Sequence, residues 1–175
     1  MFAFAFLLAI LLSSTYASPG SHAVTAYGNA QIDTAQSKFG GAAGLFDGAG
    51  DYLSTPDSVD WAFGSGDFTI DFRVRFKAFP AAGQSIVFCS QTTDLNNLWR
   101  FAICCQDATS YAMVFWSYVA GANEVWILKT LTAGVAPNTW YHHAIVRNGN
   151  NWYVFFDGVQ QGTTGSSSAS LTDFA

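Results

Sequence analysis

W-Y-H-H-A-I-V-R-N-G-N-N-W-Y-V-F-F-D-G-V-Q-Q, residues 140–161, decides the fold. Aromatic and β-branched side chains fill 140–147 and 152–156, and such residues suit a half-buried pleated surface. Between them stand Asn148, Gly149, Asn150 and Asn151, and Asp157-Gly158 then returns the chain into Val159, Gln160 and Gln161. Asn-Gly and Asp-Gly supply the positive φ angles that tight hairpins need. The stretch therefore predicts antiparallel β structure.

The same signals extend outward. In D-F-T-I-D-F-R-V-R-F (67–76) the residues Phe68, Ile70, Phe72, Val74 and Phe76 fall on one face, while Thr69, Asp71, Arg73 and Arg75 fall on the other. One face is core and the other polar. Further strands are expected over 86–90, 99–105, 113–118 and 124–131, the last two joined by Ala120, Gly121 and Ala122. Residues 44–54 read as a strand, turn and strand unit around Asp47-Gly48-Ala49-Gly50. Residues 58–63 suit one short helical turn or a loop, and 162–170, G-T-T-G-S-S-S-A-S, a flexible loop.

Composition agrees. A chain of 175 residues, half hydrophobic and 17% aromatic with only 11% charged, is too apolar for disorder and has room for one packed domain. The net charge of −5 carries no basic cluster, which excludes the concentrated Lys/Arg patch that nucleic acid requires. The apolar run 2–12 is too short to span a bilayer but matches the core of a secretory signal, with Thr15 and Ala17 as the small residues before a cut after Ala17. No Lys or Arg precedes it, so a buried first element of the domain is the alternative. Residues 1–23 are thus set apart from a domain over 24–175. Three cysteines make no disulfide framework. If the strands around them pair in a hairpin about Leu95, Cys89 faces Phe101 and Cys104 faces Ile86, which leaves buried thiols.

Several pieces, in their order, resemble the laminin-G-like, or concanavalin A-like lectin/glucanase, jelly-roll domains. They are K-F-G-G-A (38–42) leading into L-F-D-G-A-G-D-Y-L (45–53), then G-D-F-T-I-D-F-R-V-R-F (66–76), N-T-W-Y-H-H-A-I-V-R-N-G (138–149) and W-Y-V-F-F-D-G-V (152–159). The resemblance covers roughly 24–160. It implies an all-β antiparallel sandwich that serves as a non-catalytic binding or adhesion module, secreted or on a cell or virion surface, with a glycan or a surface protein as partner. Family members commonly carry an aromatic residue where Arg73 stands, and they continue into further strands past the D-G-V hairpin. A C-terminally truncated domain is therefore expected. The alternative function is a structural component of a larger assembly, such as a bacteriophage tail or decoration protein, without its own sugar site.

The residues give little support to catalysis. Glycoside hydrolysis needs two carboxyl groups across the sugar bond. The superfamily's glucanases place Glu, Asp and Glu on alternate positions of one strand, whereas this chain has the single glutamate Glu124. Asp67 and Asp71 share a strand face near Arg73 and read as solvated or salt-bridged. His142 and His143 are adjacent on one strand and point to opposite faces, so they cannot serve one site. His142, alongside Trp140, Ala144 and Val146, reads as a hydrogen-bonded core or interface histidine. No G-x-S-x-G supplies an elbow serine.

Sugar recognition sets an aromatic ring against a pyranose beside hydrogen-bonding side chains. Trp116, Tyr118 and Trp126 are the aromatic candidates, with Trp99 near them, and Arg73 and Arg75 are the polar ones. Core packing accounts for the same rings. Calcium is the one cofactor considered: Asp47 and Asp51 bracket a Gly-rich turn, and loop carboxylates suit a hard cation. A plain hairpin turn accounts for those residues as well.

Overall fold

A computed structural model describes residues 22–107, 110–132 and 134–174. The apolar run 2–12 and its reading as a signal lie outside the described residues. The chain forms two principal antiparallel sheets. One contains β5 (Phe68–Arg75), β10 (Trp140–Asn148), β11 (Asn151–Phe156) and β12 (Val159–Gln160) in the order β12-β11-β10-β5, with β13 (Gly165–Ser166) also on β11. The other runs β6 (Ser85–Asp94), β7 (Asn97–Cys105), β8 (Tyr111–Val119), β9 (Ala122–Thr130).

Their inner faces meet through aromatic rings. Phe72 lies 5.6 Å from Phe101, Phe68 6.2 Å from Phe115, and Phe115 5.1 Å from Trp152, centroid to centroid. β5 alternates buried and half-buried residues along its whole length, as its period-two pattern predicts. Fully enclosed side chains such as Trp152, Phe101 and Phe115 supply the largest favourable burial, about 1.5–3 kcal/mol or more each. The architecture is the all-β sandwich expected from the sequence.

Turn chemistry fixes the connections. Asp157 and Gly158 both take positive φ, 47° and 79°, and so do Ala120 and Gly121, 49° and 79°. That is the geometry of a type I′ hairpin turn. At the β10–β11 hairpin Asn148 pairs with Asn151, so the loop is Gly149-Asn150, with Gly149 at φ 58°.

Four expectations are corrected. The strands of the 44–54 unit do not pair with each other. β3 (Ala43–Leu45) pairs with β2 (Gln31–Asp33), and β4 (Tyr52–Ser54) with β1 (Thr25–Tyr27). Cys104 faces Ser85 rather than Ile86, because a register shift between Val87 and Cys89 leaves Phe88 as an extra residue on β6. Cys89 does face Phe101, and all three thiols are free. Residues 162–170 are not a plain loop: β13 pairs with β11, and the Ser167 carbonyl accepts from the Trp152 indole at 3.3 Å.

The core histidine is His143, not His142. His143 is enclosed with Tyr141, Ile145 and Arg147 on the inner face of β10, its ring 5.0 Å from Phe88 and 5.3 Å from Phe156. His142 lies on the outer face, hydrogen-bonded to Asp71. The short 3-10 turn Val59–Trp61 falls where one helical turn was expected, capped by Ser58.

Candidate functional site

The site is built on the outer face of the four-stranded sheet. On β7 the Phe101 ring packs against Phe72 of the facing sheet, so Arg100, Ala102 and Cys104, at the alternate positions, lie on the opposite face. Arg100 pairs with Trp116 on β8, and Trp116 pairs with Trp126 on β9. The two indoles stand 6.3 Å apart and are tilted by 43°. Trp126 is 55% exposed, an unusual state for the largest apolar side chain.

A bulge creates this pairing. Counted back from the Ala120-Gly121 turn, an unbroken hairpin would set Val125 opposite Trp116. Ser117 pairs with Val125 and Tyr118 with Asn123, so Glu124 is the extra residue on β9. That one-residue step turns Val125 inward, where it is buried, and presents Trp126 on the outer face beside Trp116.

The indoles line an open hollow of about 350 Å³. Val114 and Leu128 also line it, with Gln84, Ser85, Cys104 and Gln106 as its polar members. Burial raises the Cys104 thiol above its ordinary pKa, so it stays protonated at neutral pH. Gln106 is oriented by the Thr130 hydroxyl, which donates to its Oε1 at 2.9 Å. No residue lining the hollow is charged.

The remaining candidates lie elsewhere. Tyr118 follows Trp116 on the same strand and pairs with Leu98 and Asn123, outside the hollow. Trp99 belongs to the core, its indole donating to Gln91 Oε1 at 3.0 Å. Arg73 and Arg75 stand on the outer face of the other sheet, across the core from the indoles. Arg73 sits 5.3 Å over the Phe39 ring, and Arg75 Nε donates to the Asn138 carbonyl at 3.1 Å. Beside them His142 Nε2 and Asp71 Oδ2 are 2.8 Å apart, so the side-chain partner of Asp71 is His142 rather than Arg73. Asp67 accepts from the Gly149 N–H at 2.6 Å and caps the β10–β11 turn. No carboxylate pair of a glycosidase emerges from these two aspartates.

Asp47 and Asp51 do come together, but as hydrogen-bond acceptors. Asp47 accepts from Ala49 N at 2.7 Å and Asn29 Nδ2 at 2.7 Å, and Asp51 accepts from Asn29 N at 2.8 Å and from Asp47 N. The Asn29 amide, then the Ala49 N–H, hold the Asp47 carboxyl below its usual range. All four oxygens thus meet N–H groups. Gly28 permits the approach: its φ is 69°, and a Cβ there would collide with Asp51 Oδ1. The arrangement is a turn clasp in which each carboxylate oxygen accepts one N–H. Among the described residues no group of three or more His, Cys, Asp or Glu gathers that could hold a metal.

The described residues thus form a β-sandwich with an aromatic hollow on one outer face. Residues 47–175 match the laminin G-like family described as the concanavalin A-like lectin/glucanases superfamily, and the chain belongs to that superfamily. Domains of this kind commonly bind carbohydrate or protein and are generally non-catalytic. Neither a curated protein nor a solved structure matches the chain significantly.

The sequence reading missed Arg100, although the signal was present. It alternates with Trp99 and Phe101, and continuing that period across the β7–β8 hairpin sets it on the face of Trp116.

Proposed function

We propose that this chain is a non-catalytic carbohydrate-binding domain that takes a sugar on the outer face of its four-stranded sheet. The observation that carries the reading is the Trp116–Trp126 pair, held in cross-strand register with Trp126 55% exposed. A pyranose presents apolar C–H faces to such rings, while its hydroxyls reach Gln84, Ser85 and Gln106 at the edge of the hollow. Such domains are typically extracellular, and that is where their glycans are. Among the described residues no helix is long and apolar enough to cross a membrane.

Calorimetric titration against a glycan panel tests this. Binding at sub-millimolar to millimolar sugar is expected, and Trp126→Ala should weaken it by tenfold or more with the unfolding midpoint kept. No binding at millimolar sugar across the panel would overturn the reading.

A second reading, a component of a larger protein assembly, draws on the β1–β4 ribbon. Tyr27 and Tyr52 stack there with centroids 4.5 Å apart, both exposed, and Leu53 next to Tyr52 is exposed as well. An exposed apolar group of this kind suits a protein partner. Light scattering that returns a monodisperse monomer up to high concentration would count against it.

A further inference from the structure

The charge of the sugar follows from one residue, Arg100, and the inference rests on the carbohydrate reading above. The chain has four arginines, and three are engaged. Arg73 lies over Phe39, Arg75 donates to the Asn138 carbonyl, and Arg147 donates to the Gly149 and Gly64 carbonyls at 2.9 and 3.0 Å. Arg100 is half-buried, yet among the described residues its side chain has no hydrogen bond, ion pair or ring contact.

That isolation is not for lack of acids, since the chain carries 12 acidic against 7 basic residues. None lines the hollow, and Arg100 joins it through its ladder partner Trp116 rather than as a lining residue. Glu124, the glutamate of this sheet, is the bulged residue of β9, out of register with β8, and forms no ion pair with Arg100. A partly desolvated guanidinium without a partner is unfavourable until an anion meets it, and its planar fork matches a carboxylate or sulfate group in bidentate geometry.

Arg100, Trp116 and Trp126 form one row across three adjacent strands. Neighbouring strands lie about 4.8 Å apart, so the row spans roughly 10 Å, the length of about two linked pyranose units. We infer that the hollow recognises an acidic glycan. The indoles pack against the sugar rings, and Arg100 pairs with a uronate carboxylate or a sulfate ester on the same unit or the next.

The experiment titrates the full chain with a glycan array containing uronate oligosaccharides, their methyl esters and sulfated oligosaccharides with their desulfated forms. At least tenfold tighter binding of the charged member of a pair is expected, falling as salt rises to about 0.5 M. Preference for the uronate pairs alone identifies a carboxylate as the anion, and preference for the sulfated pairs alone a sulfate; either supports the inference. Arg100→Gln should bring the affinity for the charged member down to that for the neutral one, and Arg100→Lys should keep a reduced preference. Unchanged unfolding midpoints in both variants separate this from a loss of fold, and Trp126→Ala should weaken both members of every pair.

Equal binding of charged and neutral members, or tighter binding of the neutral one, would overturn the acidic-glycan inference and leave the carbohydrate reading standing. Inorganic sulfate bound as tightly as the sulfated sugar would overturn it too, as the mark of a plain anion site. Failure of every glycan to bind would remove both.

Discussion

His143 stands between Phe72, Phe76, Phe88 and Phe156, and among the described residues neither of its ring nitrogens has a hydrogen-bond partner. Burial drives its pKa down from 6.5 to about 3, with the neighbouring His142 adding to the effect. The unfolded chain therefore binds a proton near pH 6.5 that the folded protein refuses until about pH 3. Stability is full above 6.5 and falls as the pH drops through that window, by about 2 kcal/mol at pH 5. Unfolding midpoints from pH 7.5 to 4 should show this acid lability, and His143→Phe should flatten the profile. An equally steep profile in the variant would assign the lability to other groups. The adjacent histidines also mark a limit of sequence reading. Alternation states that they face opposite ways, but which one is inside depends on which face of β10 the second sheet covers, and that is decided far along the chain by Phe88 and Phe156.

At the scale of strands, hairpins were legible because their determinants are local. The 140–161 stretch and the 67–76 alternation specify their strands through side-chain period and turn chemistry alone. Bulges were not legible. The extra residues Phe88 and Glu124 carry no special sequence mark, yet one shifts Cys104 from Ile86 to Ser85 and the other sets Trp126 opposite Trp116. Inserting one residue between Val125 and Trp126 tests this directly, whereas deleting Glu124 only closes the bulge and keeps Trp126 opposite Trp116. The lengthened β9 should keep Val125 opposite Ser117 but set Trp126 opposite Phe115, with its indole toward the core. We expect loss of sugar binding, a blue-shifted tryptophan emission and a destabilisation of about 1–3 kcal/mol from overpacking. Glu124→Ala, which keeps the bulge, should leave the emission unchanged.

For the whole molecule, the aromatic interior joins two outer faces of different character. One holds Arg100 and the indoles, and the other holds Arg73, Arg75 and the Asp71–His142 pair. The sequence reading nominated ligand-binding residues from both, because it could rank polar and aromatic side chains but could not say which sheet carried each. The β1–β4 end is tied down by the Asp47–Asp51–Asn29 clasp, which satisfies its own carboxylates. Thermal unfolding should accordingly give the same midpoint with calcium as with EGTA. A rise of several degrees with calcium would show that a cation displaces Asn29 and organises this end.

The single-residue step at Glu124 also bears on how such a domain diversifies. Gaining one codon between Val125 and Trp126 turns the exposed indole inward and reverses the facing of the rest of β9, while losing the bulged residue leaves the indole where it is. Ligand capture in this lineage could therefore be switched off and regained by a frame-preserving indel, faster than point substitutions could reshape the face.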